Sequence, residues 1–287
     1  MDLSLITYYF MPCLRIATVP FYNAWPLTRY LGEELPGSVL SSWYPSAMRH
    51  GLLSGEIDLA LMPVAELALM PDAVVYGNAC IASRGEVKSV LLLCRVPLPA
   101  IRRIALDAAS RTSVTLSMSM LQTHHGITPE TVPLDLDADL NRCGADAMVV
   151  IGDRALAFQP DQSVWTIRID LGQWWYQTTG LPFVFAAWIG LKSPGNQRKI
   201  LEAGFNAARD RGLADIDRII AEKREAGPLL VDEGVLQDYF RNAIHYTLGE
   251  EEWKGLELFV ASVYQRNTTL QICRCTASTL PDASRMM

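Results

Sequence analysis

The sequence predicts an α/β protein of two lobes, each a mostly parallel sheet flanked by helices. Short apolar segments of strand length alternate along the chain with segments of helical periodicity, as in strand–helix–strand units. Two of the strand segments, 57–63 and 147–153, are apolar almost throughout, as strands buried on both faces are. The chain has 287 residues, half of them hydrophobic and a fifth charged, which is an ordinary globular composition with ample core.

The first part of the chain is predicted to alternate short strands with short helices. Its opening strand ends at Pro20 and its second helix ends at Gly55, because proline and glycine interrupt regular elements. In order, the predicted elements are a strand at 15–19, a helical turn or two at 27–34, a strand at 38–43, a helix at 47–54, and strands at 57–63, 74–82 and 87–95.

A middle block begins where Pro97 and Pro99 break the pattern. It is predicted to contain a strand at 104–106, a helix from Ser110 to about Thr123, and strands at 147–153, 164–170 and 183–191, the last of which leads back out. The chain beyond it has helical periodicity and is predicted to form helices at 196–211, 216–224, 234–246 and 250–264.

The strands near 87–96 and 183–191 flank this block, so we interpret them as the two connections of a discontinuous lobe. The first lobe is predicted to contain residues 14–96 plus 190–264, and the second, inserted lobe residues 97–189. Residues 1–13 are predicted to be an extension ahead of the fold. Residues 265–287 lose all periodicity and are rich in Ser and Thr, which predicts an irregular tail.

Charge and cysteine content exclude several classes of protein. A net charge of −6 without a basic stripe argues against a nucleic-acid partner, and it means that an anionic ligand needs a local positive pocket. None of the six cysteines forms a CxxC pair, so we expect no metal site and a reducing, cytoplasmic location. The chain has no signal-peptide start and no apolar run of about eighteen residues, so no membrane association is expected.

The most informative segment is RIATVPFYNAWPL, residues 15–27. A short strand ends in a proline, Asn23 lies on the turn, and Trp25 begins the next helix. Open α/β sheets build ligand sites where strands end beside a helix start, so Asn23 is a candidate site residue. An Asn in a turn is also ordinary turn chemistry.

Five further segments accompany this motif. They read IASRGEVKSVLLLCRVPL at 81–98, SRTSV at 110–114, VVIGDRAL at 149–156, TGLPFVFAAWIGL at 179–191 and AIHYTLGEEEWKGLELF at 243–259. In this order and at these separations, the set resembles the chorismate dehydratase family of the futalosine route to menaquinone, over about residues 15–264. The resemblance implies a type II periplasmic-binding-protein fold and cofactor-independent loss of water from chorismate in a cleft between the lobes. Asn23 matches the family's catalytic position.

Ser110, Thr112 and Ser113 lie at the start of a predicted helix. Free backbone N–H groups and the positive end of the helix dipole make such a position an anion site, and hydroxyl groups add donors. Ser and Thr also cap helices in the absence of any ligand. With the resemblance, we favour the binding of a substrate carboxylate by these three residues.

Ser89, in VKSV, is predicted near the end of the first lobe's sheet, opposite the Ser110 helix across the cleft. This position favours a catalytic contact with the substrate, although an isolated serine is also compatible with a structural role. Lys88 is an alternative cation, but alternation along a strand points it away from the side of Ser89.

The identity of the proton acceptor is a separate question. The Asn23 carboxamide has no useful basicity near neutral pH, so it is expected to donate to the leaving hydroxyl or to orient a carboxylate. The motif segments that are matched to the cleft contain no histidine, and our hypothesis is that the enolpyruvyl carboxylate of chorismate takes the proton, held by Asn23 and Ser89. Gly152 and Asp153 follow a buried strand and are expected to contact substrate. Asp153 is the alternative base, or else a helix cap or a partner of Arg154.

Two other functions fit the same fold. A solute-binding protein would capture a small carboxylate without changing it, and this reading expects an export signal, which the sequence lacks. The related 1,4-dihydroxy-6-naphthoate synthase resembles a different opening motif, of the Cys-Pro-Asn-Asp type, which is absent here. Incubation with chorismate discriminates among the three, because fold alone does not settle function.

Overall fold

Two mixed β-sheets flanked by helices form the structure, a computed structural model that describes residues 13–70, 72–107, 111–135, 139–191 and 196–263. No helix within these ranges is both long and apolar enough to cross a membrane. Residues 1–12 and 264–287, which include nearly all of the predicted extension and the whole predicted tail, lie outside the described residues, as does Ser110.

The described strands belong to one sheet or the other. In chain order they are β1 (Arg15–Thr18), β2 (Val39–Ser42), β3 (Leu59–Pro63), β4 (Ala73–Ser83), β5 (Val90–Cys94), β6 (Arg103–Leu106), β7 (Glu130–Pro133), β8 (Ala147–Ile151), β9 (Ile167–Asp170), β10 (Phe183–Leu191) and β11 (His245–Thr247). The first sheet has the order β11-β4-β10-β3-β1-β2, and the second has the order β7-β6-β8-β5-β9.

Helices connect and cover these strands. The described α-helices are α1 (Trp25–Thr28), α2 (Leu31–Glu34), α3 (Pro45–Leu53), α4 (Arg111–His125), α5 (Gly152–Ala157), α6 (Leu171–Thr179), α7 (Asn196–Ala214), α8 (Ile216–Ala226), α9 (Glu233–Asp238) and α10 (Glu250–Val263). A 3-10 turn, Tyr22–Ala24, precedes α1, and a π-helix, Tyr239–Ala243, follows α9. Most predicted elements are present within one to three residues of their expected bounds.

The two-lobed α/β class is confirmed, but the sheets are mixed rather than mostly parallel. In the first sheet β1 is parallel to β2 and β3, whereas β10 is antiparallel to β3 and β4, and β11 is antiparallel to β4. In the second sheet β6 is parallel to β7 and β8, whereas β5 is antiparallel to β8 and β9. Burial on both faces makes β3 and β5 apolar throughout, and such a run carries no information about strand direction.

The predicted lobe boundaries also need correction. The predicted boundaries at 96/97 and 189/190 assign β5 to the first lobe and most of β10 to the second lobe. The hydrogen-bonded sheets show the reverse, since β5 belongs to the second sheet and β10 to the first. The chain therefore crosses between the sheets at residues 84–89 and 180–182. Pro97 precedes a short 3-10 turn after β5 and Pro99 lies within it, so the two prolines mark a turn within the second lobe.

The outgoing crossing is held by a partly buried acidic side chain. Asp170, at the start of α6, accepts backbone hydrogen bonds from Val87 N at 3.1 Å and from Lys88 N at 2.7 Å. Lys88 has φ of 63°, which is uncommon for a residue with a Cβ atom, and its ammonium pairs with Asp238. The Lys88 side chain is thus engaged outside the cavity described below.

The predicted helix at 234–246 is the main error in secondary structure. It is divided into α9, the π-helix and β11, because Ile244 is extended and the residues after it pair with β4. Tertiary pairing has overridden a helical periodicity here. The prediction also omitted three elements of the second lobe: β7, α5 and α6.

Candidate functional site

A cavity of about 600 Å³, which includes the solvent at its open mouth, lies between the two sheets. Most of the wall is apolar, and its polar side chains are few. The lining residues are Val19, Phe21, Asn23, Pro45, Leu61, Pro63, Ile81, Val87, Ser89, Val90, Arg111, Thr112, Ser113, Ile151, Gly152, Phe185 and Ala186.

Asn23 enters the cavity from the first sheet. It lies in the 3-10 turn that follows β1, and Pro26 in the first turn of α1 is preset for a helix start. The Asn23 Oδ1 atom is buried and has no hydrogen-bond partner among the described residues. A buried acceptor left unpaired costs about 1–3 kcal/mol, so the position favours a ligand that offers a donor.

Ser89 enters from the second sheet, one residue before β5. Its carbonyl accepts a hydrogen bond from Gly152 N at 2.7 Å, and its Oγ accepts one from the hydroxyl of Tyr239, also at 2.7 Å. The prediction placed Ser89 in the first lobe's sheet, opposite the Ser110 helix. The sheet topology places it in the same lobe as that helix instead, because β5 belongs to the second sheet.

The first turn of α4 supplies the anion-binding features of the wall. Thr112 and Ser113 are buried and line the cavity, and Thr112 Oγ1 accepts a hydrogen bond from Ala65 N at 3.2 Å. No described residue is hydrogen-bonded to the Ser113 hydroxyl, which leaves it available to a ligand. Ser110, predicted as the third member of this set, lies outside the described residues.

Arg111 is the cation that the sequence interpretation lacked. It lines the cavity with its side chain about half exposed, and its Nε lies 3.7 Å from Glu66 Oε1. Glu66 is almost completely buried and also pairs with Arg49, whose Nε lies 3.2 Å from Oε2. A negative net charge had indicated that an anionic ligand needs a local positive group, and the arginine in SRTSV could have supplied that signal.

Gly152 and Asp153, predicted as substrate contacts, take different places. Gly152 lines the cavity with φ of 62°, and a Cβ atom there would lie 3.2 Å from Phe21 Cδ1. Asp153 is not part of the wall; its Oδ1 accepts a hydrogen bond from Tyr22 N at 2.8 Å. Burial raises the pKa of Asp153 to about 7, against the lowering effect of that N–H group.

Tyr239, which is hydrogen-bonded to the wall residue Ser89, is a residue that the sequence interpretation missed. It is 1% exposed and begins the π-helix, at a position predicted to lie within a continuous helix. It is 150 residues from Ser89 in the chain, so no local pattern connects the two.

The described wall holds neither an imidazole nor a carboxylate group, and no group of three or more His, Cys, Asp or Glu that could hold a metal ion occurs among the described residues. The polar groups that converge on the cavity are therefore an amide, three hydroxyls, a guanidinium and a helix N-terminus. Such a set binds and orients anions and hydroxyl groups.

Comparisons with known proteins show the family of this chain. A family model described as menaquinone biosynthesis matches residues 14–265. The chorismate dehydratase of Thermus thermophilus is 31% identical over 264 residues, which cover 85% of this chain and 92% of that protein.

Solved structures support the fold alone, since their sequence identity is low. A protein from Archaeoglobus fulgidus has a TM-score of 0.68 at 12% identity, covering 88% of this chain and 96% of that one. A Candida albicans protein described as having the generic periplasmic binding protein fold has a TM-score of 0.59 at 12% identity, covering 92% and 99%. On the family match and the Thermus relative, the chain belongs to the menaquinone biosynthesis family.

Proposed function

We propose that this protein is a hydro-lyase that removes water from chorismate to give 3-[(1-carboxyvinyl)oxy]benzoate, a step of menaquinone biosynthesis. The observation that carries the proposal is the convergence of Asn23, Ser89 and the first turn of α4 on one cavity. These groups come from three separate segments of the chain, which is 31% identical to a chorismate dehydratase.

The ring carboxylate of chorismate is assigned to Arg111 and the N-terminus of α4. A guanidinium and free N–H groups both favour an anion, and the Thr112 and Ser113 hydroxyls add donors. Loss of the proton at ring carbon 3 gives a carbanion conjugated with that carboxylate, so negative charge moves toward Arg111. The same contacts therefore stabilise the transition state as well as the bound substrate.

Asn23 is assigned to the hydroxyl at ring carbon 4. Its unpaired Oδ1 accepts the hydroxyl hydrogen and fixes the carbon–oxygen bond that breaks. Ser89, on the other side of the cavity, donates to the enolpyruvyl carboxylate. The two residues hold the substrate in one orientation, which is a rate effect in its own right.

The proton acceptor is assigned to the substrate. Because the described wall offers no imidazole or carboxylate, the enolpyruvyl carboxylate is the base nearest to the proton at carbon 3. It takes that proton and returns it to the departing hydroxyl, which leaves as water, while the electrons of the broken C–H bond complete the aromatic ring. Asp153 has a pKa suited to a base, but its carboxylate is bound to Tyr22 N behind the wall.

The proposal is tested by incubating the purified protein with chorismate. We expect the diene absorbance to fall and a benzoate lighter than chorismate by one water to appear in mass spectrometry. Chorismate alone, incubated in parallel, corrects for its spontaneous rearrangement. Binding of chorismate without conversion would support the solute-binding alternative. If no benzoate forms, the proposed activity is overturned.

We also propose a cytoplasmic location. The four described cysteines, at positions 13, 80, 94 and 143, are free thiols, as is usual in a reducing compartment. The location of a tagged protein in fractionated cells tests this.

A further inference from the structure

We infer that Tyr239 is a positioning residue that sets the orientation of both Ser89 and Asn23. The inference rests on the proposed function, in which these two residues contact the substrate. Tyr239 does not line the cavity, so it is assigned no contact with the substrate itself.

The hydroxyl of Tyr239 lies between the two site residues. It donates to Ser89 Oγ at 2.7 Å, and the Asn23 carboxamide interacts with the same hydroxyl. The segment of Asn23 packs against the segment of Tyr239, since the rings of Trp25 and Phe240 are 6.1 Å apart. One buried phenol thus contacts a residue from each side of the cavity.

The direction of these hydrogen bonds decides which donor and acceptor atoms of Ser89 and Asn23 are left for the ligand. Burial raises the pKa of Tyr239, so the phenol keeps its proton and donates a hydrogen bond to Ser89 Oγ. Ser89 Oγ then accepts, and its own hydrogen is left to point elsewhere, with the cavity as the open direction. The Asn23 side chain lowers the pKa of Tyr239 as a hydrogen-bond donor does, so we assign its amide N–H group to the phenol oxygen. Its Oδ1, which has no partner among the described residues, is assigned to the ligand.

The local structure around Tyr239 fixes its position. Asp238 forms an ion pair with Lys88. Tyr239 follows Asp238 and Ser89 follows Lys88, and the hydroxyls of Tyr239 and Ser89 are hydrogen-bonded to each other. Tyr239 is also the first residue of the π-helix, and π-helical turns occur frequently at functional sites. The backbone irregularity places the phenol over Ser89, where a continuous helix was expected.

The test compares Tyr239→Phe with Tyr246→Phe. Both tyrosines are buried, but the Tyr246 hydroxyl has no hydrogen-bond partner among the described residues, so Tyr246→Phe is a matched control. We expect Tyr239→Phe to lower kcat about 10- to 100-fold with KM changed less than about 3-fold, because misplaced reacting groups cost rate. Tyr246→Phe should stay within about 2-fold of the parent protein, and thermal unfolding checks that both variants fold.

A double variant tests whether Tyr239 acts through Ser89. In a Ser89→Ala background, adding Tyr239→Phe should cost at least about 3-fold less than it does alone, because coupled residues are not additive. An undiminished cost in that background would overturn the inference. The double variant removes both hydroxyls of the hydrogen bond. If Tyr239→Phe alone fails to fold, the double variant is compared with Ser89→Ala, and a kcat more than about 30-fold below that of Ser89→Ala overturns the inference.

The outcomes separate this inference from the proposed function. If the parent protein does not dehydrate chorismate, the proposed function fails and the inference fails with it. If the parent is active and Tyr239→Phe matches it, or if Tyr246→Phe loses as much activity, only the inference is overturned.

Discussion

The backbone N–H of Tyr22 donates to the Asp153 carboxylate at 2.8 Å, and this hydrogen bond joins the two sides of the cavity. Tyr22 precedes Asn23, and Asp153 follows Gly152, so the bond lies directly behind two residues of the wall. The carboxylate that the sequence offered as a possible base therefore fixes the geometry of the site from behind.

Asp153 should make stability depend on pH. Its folded-state pKa, raised by burial from 3.8 to about 7, means that the folded protein binds a proton more tightly than the unfolded chain. The free energy of unfolding should therefore fall as pH rises from about 4 to 7, by roughly 4 kcal/mol at most. Asp153→Asn, which keeps the acceptor for Tyr22 N, should flatten this slope in urea denaturation. The exposed Asp232→Asn, whose side chain makes no cap hydrogen bond, is the control. An unchanged slope in Asp153→Asn would contradict the assignment.

Activity should fall both when the amide group of Asn23 is removed and when it is replaced by a carboxylate. Asn23→Ala should lower kcat about 100-fold, because the hydroxyl at ring carbon 4 loses its partner. Asn23→Asp should be at least as slow and should raise KM, since a carboxylate repels a dianion. Steady-state kinetics with chorismate measure both, and the exposed Gln177→Ala serves as control. A large gain in rate from Asn23→Asp would rule out positioning as the main role of Asn23.

Arg111 should act on substrate binding and, because negative charge moves toward it in the transition state, also on kcat. Arg111→Ala should raise KM about 10- to 100-fold, the range expected when a charge-assisted hydrogen bond to a carboxylate is lost. Arg111→Lys should recover only part of this, because an ammonium lacks the planar fork of a guanidinium. The exposed Arg102→Ala controls for the change in net charge. An equal KM increase in that variant would contradict the assignment of Arg111 to the substrate carboxylate.

Gly152 should be intolerant of a side chain. Its φ of 62° is costly for a residue with a Cβ atom, and that atom would lie 3.2 Å from Phe21 Cδ1. Gly152→Ala should lower the free energy of unfolding by about 1–3 kcal/mol. Gly144→Ala, where nothing lies within 4 Å of the added Cβ, should stay within about 0.5 kcal/mol. Denaturant unfolding of both proteins checks the difference, and equal stabilities would mean that Phe21 and the backbone relax without cost.

The sequence by itself determined the local elements and the chemistry-bearing segments. Apolar runs bounded by Gly and Pro located most strands, because burial on both faces and chain reversal leave direct traces in composition. The turn after the first strand indicated Asn23, and the hydroxyl-rich helix start indicated Thr112 and Ser113. These signals are local, since each depends on residues adjacent in the chain.

Only the tertiary structure decided which sheet each strand joins and what supports the site. An apolar strand is equally suited to parallel and antiparallel neighbours. The sequences of Val90–Cys94 and Phe183–Leu191 therefore did not show that the chain crosses to the other sheet just before each of these two strands. The hydrogen bond of Tyr239 to Ser89 and that of Tyr22 to Asp153 span 150 and 131 residues. Such contacts arise from the packing of distant segments, and packing leaves no periodic pattern in sequence.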